Sequence, residues 1–97
     1  MSVAFAVTFK AKDDMYDQLH ATLTAILPDT ASFEGAELIS CAADPADKVF
    51  YIHEIWDSAE SQAAYMQWRQ ERGDVDKLVA MLREAPSFEQ REHLPFE

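Results

Sequence analysis

Residues 3–10 read VAFAVTFK, in which large apolar side chains alternate with smaller ones. A period of two is the pattern of a β-strand, because successive side chains of a strand point to opposite faces. The pattern predicts a first strand with its large side chains on one face. The small side chains on the other face are apolar enough to be buried as well.

The next apolar residues recur three or four positions apart, as they do on one face of a helix: Met15, Leu19, Leu23 and Ile26. Proline cannot donate the backbone hydrogen bond that a helix interior needs, so we expect this helix to end at Pro28. Asp13 or Asp14 is suited to cap its N-terminus.

Two further strands are predicted over residues 36–43 and 49–56, because both segments are apolar and the second has the strongest strand composition in the chain. Between them, the segment from Asp44 to Asp47 contains Pro45 and two aspartates, which are typical turn residues. We therefore expect an antiparallel hairpin.

A second helix is predicted to start near Ser58 or Ser61 and to continue to about Arg72, where Gly73 breaks it. Asp74 can cap a further helical segment that continues to Pro86. The apolar positions of this segment are Val75, Leu78, Val79 and Leu82.

A final strand is predicted over residues 88–94, with Phe88, Leu94 and Phe96 as its apolar anchors. The order of elements is then strand, helix, strand, strand, helix, strand. This order is typical of an α+β ferredoxin-like fold, in which a four-stranded antiparallel sheet carries both helices on one face. We expect residues 1–97 to form a single domain.

The third predicted strand makes neither face of the sheet polar. Its two faces hold Val49, Tyr51, His53 and Ile55 on one side and Phe50, Ile52, Glu54 and Trp56 on the other. The helices can cover only one of these faces. We expect a second subunit to cover the other, since two sheets that pack face to face bury both surfaces with twofold symmetry. The predicted assembly is a homodimer.

The chain has 18 acidic and 8 basic residues, which gives a formal net charge of -10. This charge argues against binding to nucleic acid or to an anionic membrane surface, since both rely on lysine and arginine. Cys41 is the only cysteine, so neither an intrachain disulfide nor a CxxC zinc site is expected, which is typical of a cytoplasmic protein. Residues 1–9 are too short an apolar stretch for a signal peptide or a membrane span.

The stretch from Tyr51 to Glu60 reads YIHEIWDSAE and follows Glu34-Gly35 and the Asp44-Pro45 turn. With its Glu54-x-Trp56-x-Ser58 motif and an aromatic residue nine positions after the tryptophan, the chain resembles the antibiotic biosynthesis monooxygenase family of small dimeric α+β barrel proteins. The resemblance extends over nearly the whole chain in the order and spacing of its elements.

The resemblance implies a pocket between each sheet and its own helices. It also implies that O2 oxidises an aromatic quinol or polycyclic phenol there, with no flavin, haem or metal ion as cofactor. The enzyme would deprotonate or orient the phenol, and the substrate would supply the electrons.

The chain departs from two patterns within this family. Many quinol-oxidising members have a histidine nine residues after the tryptophan of the motif, where this chain has Tyr65. Haem-degrading members tend to have a tryptophan there, an asparagine on the first strand and a histidine on the second helix. This chain has Thr8, no asparagine, and no histidine between His53 and His93. The alternatives are a non-catalytic dimeric module that binds a small apolar ligand and, as a third option, a haem-binding protein.

Tyr65 and His53 are two candidates for catalytic groups. The Tyr65 phenol would act as a hydrogen-bonding group at the position of the family histidine. His53 lies in an aromatic-rich strand, and an imidazole can accept a phenolic proton near neutral pH. A structural hydrogen bond at the sheet interface is the more frequent role of a strand histidine. Alternation places His53 on the face opposite Trp56.

Glu54 is the third catalytic candidate. It shares a strand face with Trp56, and apolar surroundings raise the pKa of a carboxyl group toward a value that suits a base. The alternative is a partly buried salt bridge to Arg69, Arg72 or Arg91.

The expected substrate-binding residues are Trp68, Trp56, Phe50, Arg69 and Tyr16. Residues three or four apart share a helix face, so Tyr65 is predicted to lie beside Arg69. Tyr16 would form the opposite wall of a pocket. The alternative is that the aromatic side chains only pack the core. No HExxH motif or histidine cluster predicts a metal site.

Overall fold

The computed structural model describes residues 2–96. Its elements are, in chain order, β1 (Val3–Lys10), α1 (Tyr16–Ala31), β2 (Ala36–Asp44), β3 (Val49–Trp56), α2 (Ala59–Glu71), α3 (Asp74–Val79) and β4 (Ser87–Glu92). No helix of this part of the chain has the length and apolar character needed to cross a membrane.

The four strands form one sheet in the order β2-β3-β1-β4, and every neighbouring pair is antiparallel. β1 is central, with Val7 opposite Ile52 on β3 and opposite Phe88 on β4. This arrangement confirms the predicted α+β ferredoxin-like fold.

The large side chains of β1 lie on the face that the helices cover. Phe5, Val7 and Phe9 belong to one buried cluster with Leu19 and Leu23 of α1. The apolar face that the period of two predicts for β1 thus packs against the apolar face that the period of three to four predicts for α1. Burial of such side chains is the main source of stability in a domain of this size.

The opposite face of the sheet, which we call the open face, is not covered by the helices. Alternation places the small residues of β1 here, together with Tyr51 and His53 of β3 and Leu38 of β2. Tyr51 is 50% exposed and Leu38 45% exposed. The open face is therefore partly apolar.

The structure corrects the predicted ends of the first helix. Pro28 lies inside α1, which continues to Ala31. The prediction failed because proline lacks only the N–H donor. Its carbonyl group still accepts helical hydrogen bonds, from the backbone N–H of Ser32 at 3.2 Å and from the Ser32 hydroxyl at 3.1 Å. Neither Asp13 nor Asp14 caps the helix, since Met15 occupies that position without a side-chain hydrogen bond.

The turn and the start of α2 are as predicted. Asp44 accepts hydrogen bonds from the backbone N–H groups of Ala46 and Asp47 at 3.1 and 3.3 Å. Ser58 caps α2 by accepting a hydrogen bond from the Ser61 N–H at 3.1 Å.

Three predictions near the C-terminus are wrong. The helical segment after Gly73 does not continue to Pro86, since α3 ends at Val79. Gly73 is the N-terminal cap of α3, and the Asp74 carboxylate bonds to arginines instead. β4 ends at Glu92 because Val3, its partner, is the first residue of β1. Leu94 and Phe96 therefore lie beyond the strand and are 67% and 92% exposed.

Two glycines with positive φ allow a direct test of how tightly the start of α2 is packed. Gly35 has a φ of +95°, and a Cβ there would lie 2.5 Å from the Ser61 side chain. Gly73 has a φ of +82°, and nothing lies within 4 Å of its Cβ position. The substitution Gly35→Ala should lower the free energy of unfolding by about 2–4 kcal/mol, since it adds a steric clash to backbone strain.

The substitution Gly73→Ala is the matched control, and strain alone should lower its free energy of unfolding by about 1 kcal/mol. Urea denaturation followed by tryptophan fluorescence measures both. Equal losses in the two variants would contradict the close packing of Gly35 on Ser61.

Candidate functional site

A cleft opens between the helix-covered face of the sheet and the three helices. The volume open to the centre of a water molecule is about 50 Å³, and the whole empty space, including the open mouth and the solvent in it, is about 560 Å³. β1, β3 and β4 form its floor, and α1, α2 and α3 form its walls. All of its lining residues are apolar except Glu54, Tyr65 and Arg69.

Glu54 places a carboxyl group in this apolar cleft. It is 6% exposed, and its Oε1 accepts a hydrogen bond of 3.0 Å from the Trp56 indole N–H, two residues along the same face of β3. Its Oε2 has no hydrogen bond to residues 2–96. Since no fully buried side-chain oxygen in this part of the chain lacks a partner, Oε2 must be accessible, and the cleft is the cavity that Glu54 lines.

Burial raises the pKa of Glu54 above its ordinary value, although the hydrogen bond from Trp56 opposes the shift. Desolvation disfavours the charged form of a carboxyl group, which makes it a stronger base once it is ionised. Glu54 is thus a group with a free oxygen, an apolar environment and a raised pKa.

The predicted alternative, a salt bridge from Glu54 to an arginine, is wrong. Arg69 and Arg72 both pair with Asp74, and Arg91 pairs with Glu89. Arg91 lies opposite Ala4 in the sheet register, so alternation places it on the open face and away from Glu54.

A hydrogen-bond network fixes the Tyr65 hydroxyl. Arg69 Nε donates to this oxygen at 2.9 Å, as predicted from their spacing of four residues on α2. The Thr30 hydroxyl lies 2.6 Å from it, and either hydroxyl can be the donor of that bond. Because a guanidinium can only donate, the Tyr65 oxygen accepts on the side of Arg69.

Arg69 lines the cleft, yet its own bonds hold it in place. It is 3% exposed, and Nη2 donates to the Ile26 carbonyl at 2.9 Å and to Thr30 at 3.2 Å. Nη1 donates to Asp74 at 2.9 Å. Four of its five N–H groups are therefore used within the protein.

The charge of Arg69 is also balanced. Burial lowers the pKa of Arg69, but hydrogen bonds and charge interactions with Tyr65 and Asp74 outweigh it and leave the pKa raised. Burial raises the pKa of Asp74, and the bonds from Arg69 and Arg72 outweigh it and leave that pKa lowered. The guanidinium carbon also lies 4.7 Å from the centre of the Trp68 ring.

His53 lies on the other side of the sheet from Glu54 and Tyr65. It is exposed on the open face, between Ala6 of β1 and Ser40 of β2 in the register. The predicted face of His53 is confirmed, but the sheet separates it from the cleft.

The aromatic side chains predicted to bind substrate lie outside the lining of the cleft. Trp56 is fully buried, and Trp68 packs with its ring centre 5.3 Å from that of Phe33. Tyr16 stacks on Phe50 with ring centres 5.0 Å apart. In the structure these aromatic side chains pack against other residues of the protein. Their contacts with a substrate stay a prediction.

Thr30 is part of the site and was missed from the sequence. It is fully buried and bonds to both Tyr65 and Arg69. The expectation that the helix ends at Pro28 placed Thr30 in a loop, which hid its position two residues further along α1. The available signal in the sequence was the spacing, since Thr30 lies four residues after Ile26 and continues the inward face of the helix.

No group of three histidine, cysteine, aspartate or glutamate side chains within residues 2–96 is arranged to hold a metal ion.

The comparisons with known proteins identify the fold. No protein-family model matches the chain, and no curated protein matches it. Solved structures do match over its whole length. One, from Chloroflexus aurantiacus, is provisionally named an antibiotic biosynthesis monooxygenase; it is 18% identical, with a TM-score of 0.80 and coverage of 100% of this chain and 97% of that chain.

A second protein with this provisional name, from Deinococcus radiodurans, is 18% identical, with a TM-score of 0.82 and coverage of 100% and 96% of the two chains. A conserved protein from Methanosarcina mazei is 10% identical, with a TM-score of 0.83 and coverage of 95% and 92%. The chain thus has the fold of proteins named antibiotic biosynthesis monooxygenases, which confirms the predicted resemblance. At these identities the likeness establishes the fold alone.

The raised pKa of Glu54 predicts how stability depends on pH. When the folded pKa is above the unfolded value, the stability that this group contributes is complete below the unfolded pKa, and it is lost as pH rises through the folded pKa. Glu54→Gln keeps an oxygen that can accept from Trp56 but has no charge to desolvate. This variant should be more stable than the wild type at pH 7. The difference should shrink as pH falls through the raised pKa of folded Glu54 toward about 4.3, the ordinary pKa of glutamate, and should stay at its smallest value below that pH.

Urea denaturation between pH 4 and pH 8 measures this difference. Glu92→Gln, which removes an exposed carboxylate at the end of β4, is the control and should leave the pH dependence of the wild type unchanged. A wild type more stable than Glu54→Gln at pH 7 would show that the buried charge has a partner after all.

Proposed function

We propose that the chain is a cofactor-independent monooxygenase that oxidises an aromatic quinol or polycyclic phenol with O2 in this cleft. The observation that carries the proposal is the free Oε2 of Glu54 in a cavity whose other lining residues are apolar except Tyr65 and Arg69. A single accessible carboxylate in a low-dielectric site is the arrangement that proton abstraction from a bound hydroxyl needs.

The proposed first step is transfer of a phenolic proton to Glu54 Oε2. A phenol has a pKa of about 10, and a carboxyl group with a raised pKa lies closer to it than an ordinary one, so the transfer is less unfavourable. Burial of Glu54 thus serves the reaction even though it opposes ionisation of the free protein.

The phenolate is then the reductant. It passes an electron to O2, and combination of the two radicals bonds one oxygen atom to a ring carbon. In the overall reaction, a quinol and O2 yield a hydroxyquinone and water, so the substrate supplies all four electrons and the two hydrogen atoms of the water. The apolar lining would exclude solvent from the reactive species.

Tyr65 and Arg69 support this proposal as a fixed polar edge of the cleft. The Tyr65 hydroxyl accepts from Arg69, so at least one of its lone pairs is engaged, which favours a role in orienting the ring of the substrate. The proposed step does not use His53, which lies across the sheet.

The second candidate is a non-catalytic module that binds a small apolar ligand in the same cleft. The observation that favours it is the commitment of the Tyr65 hydroxyl to Thr30 and Arg69 at a position where many quinol-oxidising relatives have a histidine. Haem binding has less support, since none of the three histidines lines the cleft.

We also propose that a second copy of the chain covers the open face. A half-exposed tyrosine and leucine on a face whose β1 residues are small favour contact with an identical sheet. The open face and the cleft are on opposite sides of the sheet, so dimerisation would leave the mouth of the cleft free.

Oxygen uptake tests the activity. The purified protein, with a chelator present, should consume O2 saturably with reduced naphthoquinols or hydroxyanthrones after autoxidation is subtracted. Glu54→Gln should lower kcat by about 10²–10⁴-fold, the usual contribution of a general base. Tyr65→Phe should lower it less, and Glu92→Gln should leave it unchanged. If Glu54→Gln consumes O2 as fast as the wild type, Glu54 is not the base. If the wild type consumes no O2 with any substrate, the non-catalytic binding module is favoured.

Light scattering at micromolar concentration tests the dimer. The wild type should have about twice the chain mass of 11.0 kDa, because the partner buries the open face. Ala42→Arg places a charge on that face opposite Tyr51 and should give a monomer. Ala63→Arg, on the exposed surface of α2, should remain dimeric. A monomeric wild type would overturn this part of the proposal.

A further inference from the structure

We infer that the cleft selects uncharged aromatic ligands with a hydroxyl donor over the same ligands when they carry a carboxylate. This inference names the ligand class of the site and rests on the proposed function insofar as the cleft is taken as the binding site. It follows from three features of the protein: the Arg69 side chain in the cleft is already paired, Glu54 carries a negative charge there when it is ionised, and the whole chain has a negative net charge.

The first feature is that the cleft has no cation to offer to an anionic group. Arg69 is the only basic residue in its lining. Its charge is paired with Asp74 at 2.9 Å, and four of its N–H groups donate within the protein. A ligand carboxylate would have to break these bonds to gain a partner, and a buried arginine left without its partners is strongly unfavourable.

The second feature is that Glu54 already supplies one negative charge when it is ionised. Transfer of a proton from a neutral phenol moves this charge from the carboxylate to the ligand and creates no second one. A ligand that carries its own carboxylate would place two negative charges in an apolar cavity. Repulsion between like charges is strong there because the surroundings screen it poorly.

The third feature acts before contact. The chain has a formal net charge of -10, so the approach of an anion is opposed over the whole surface. A single ionised glutamate in the cleft adds to this effect at short range. All three features oppose an anion, and none of them opposes a neutral phenol.

Four matched naphthalenes test the inference, and none of them depends on turnover. 2-Naphthol is neutral at pH 7 and has a donor, and 2-methoxynaphthalene is neutral without a donor. 6-Hydroxy-2-naphthoate has the same donor and a carboxylate. Its methyl ester has nearly the same size without the charge, so it separates charge from steric fit. Isothermal titration calorimetry or equilibrium dialysis with the full chain gives each Kd.

We expect 2-naphthol and the ester to bind, and 2-methoxynaphthalene to bind more weakly because it cannot donate to Glu54 Oε2. The acid should bind at least about tenfold more weakly than its ester, which corresponds to 1.4 kcal/mol. Glu54→Gln should narrow the gap between acid and ester. Glu92→Gln also removes one negative charge from the chain, but at an exposed site, and should leave the gap as it is in the wild type.

Equal affinity for acid and ester would overturn the inference, as would failure of every naphthalene to bind. If Glu92→Gln narrows the difference in affinity between acid and ester as much as Glu54→Gln does, the selection comes from the overall charge. That result would overturn the role of the cleft. Selective binding without oxygen uptake would leave the inference standing and remove the proposed activity, so the two failures are distinguishable.

Discussion

A single buried guanidinium joins the three helices that cover the sheet. Arg69 extends from α2, donates to Ile26 and Thr30 of α1, and pairs with Asp74 at the start of α3. A buried charge is stable only when its hydrogen bonds and its counter-charge are both in place, and here they are. The three helices that form the walls of the cleft therefore keep their relative positions, because Arg69 of α2 bonds to both of the others. Because Arg69 pairs with Asp74, it does not pair with Glu54, whose charge therefore has no partner in the lining of the cleft.

Strand β3 gives the molecule two different surfaces from one run of eight residues. Ile52 and Glu54 face the cleft, while Tyr51 and His53 face the other way. A side-chain period of two makes this division unavoidable, and it explains why a catalytic role for Glu54 and one for His53 cannot belong to the same pocket. Under the proposed dimer, contacts on the open face would stiffen the strand that carries Glu54. Association and the position of the carboxylate would then be linked through the backbone alone.

The fold could be predicted from the sequence because each strand has a clear period and each turn has its own chemistry, as in the Asp44 turn and the Ser58 cap. The face of Glu54 and its apolar surroundings followed from the same alternation. The bonding of the site could not be predicted in this way. A proline in the last turn of a helix looks like a helix end, and that hid Thr30. Helical spacing showed that Tyr65 and Arg69 are neighbours, but not that Asp74 would hold the arginine, because that contact depends on how α3 turns back from Gly73.

Helix α3 differs from the rest of the cleft wall. It supplies Val75, Leu78 and Val79 to the lining, yet none of its residues is buried. Val79 is exposed, and Val75 and Leu78 are half-buried, so substitutions there disturb less packing than substitutions of the fully buried residues in the sheet or in α1. The size of the cavity can therefore diverge among descendants of this sequence by mutation of one short helix. The carboxylate and the network behind it would be inherited unchanged as long as Asp74, the residue of α3 that pairs with Arg69, is kept. The scaffold thus separates lining positions that can change with the ligand from the residues that hold the cleft together.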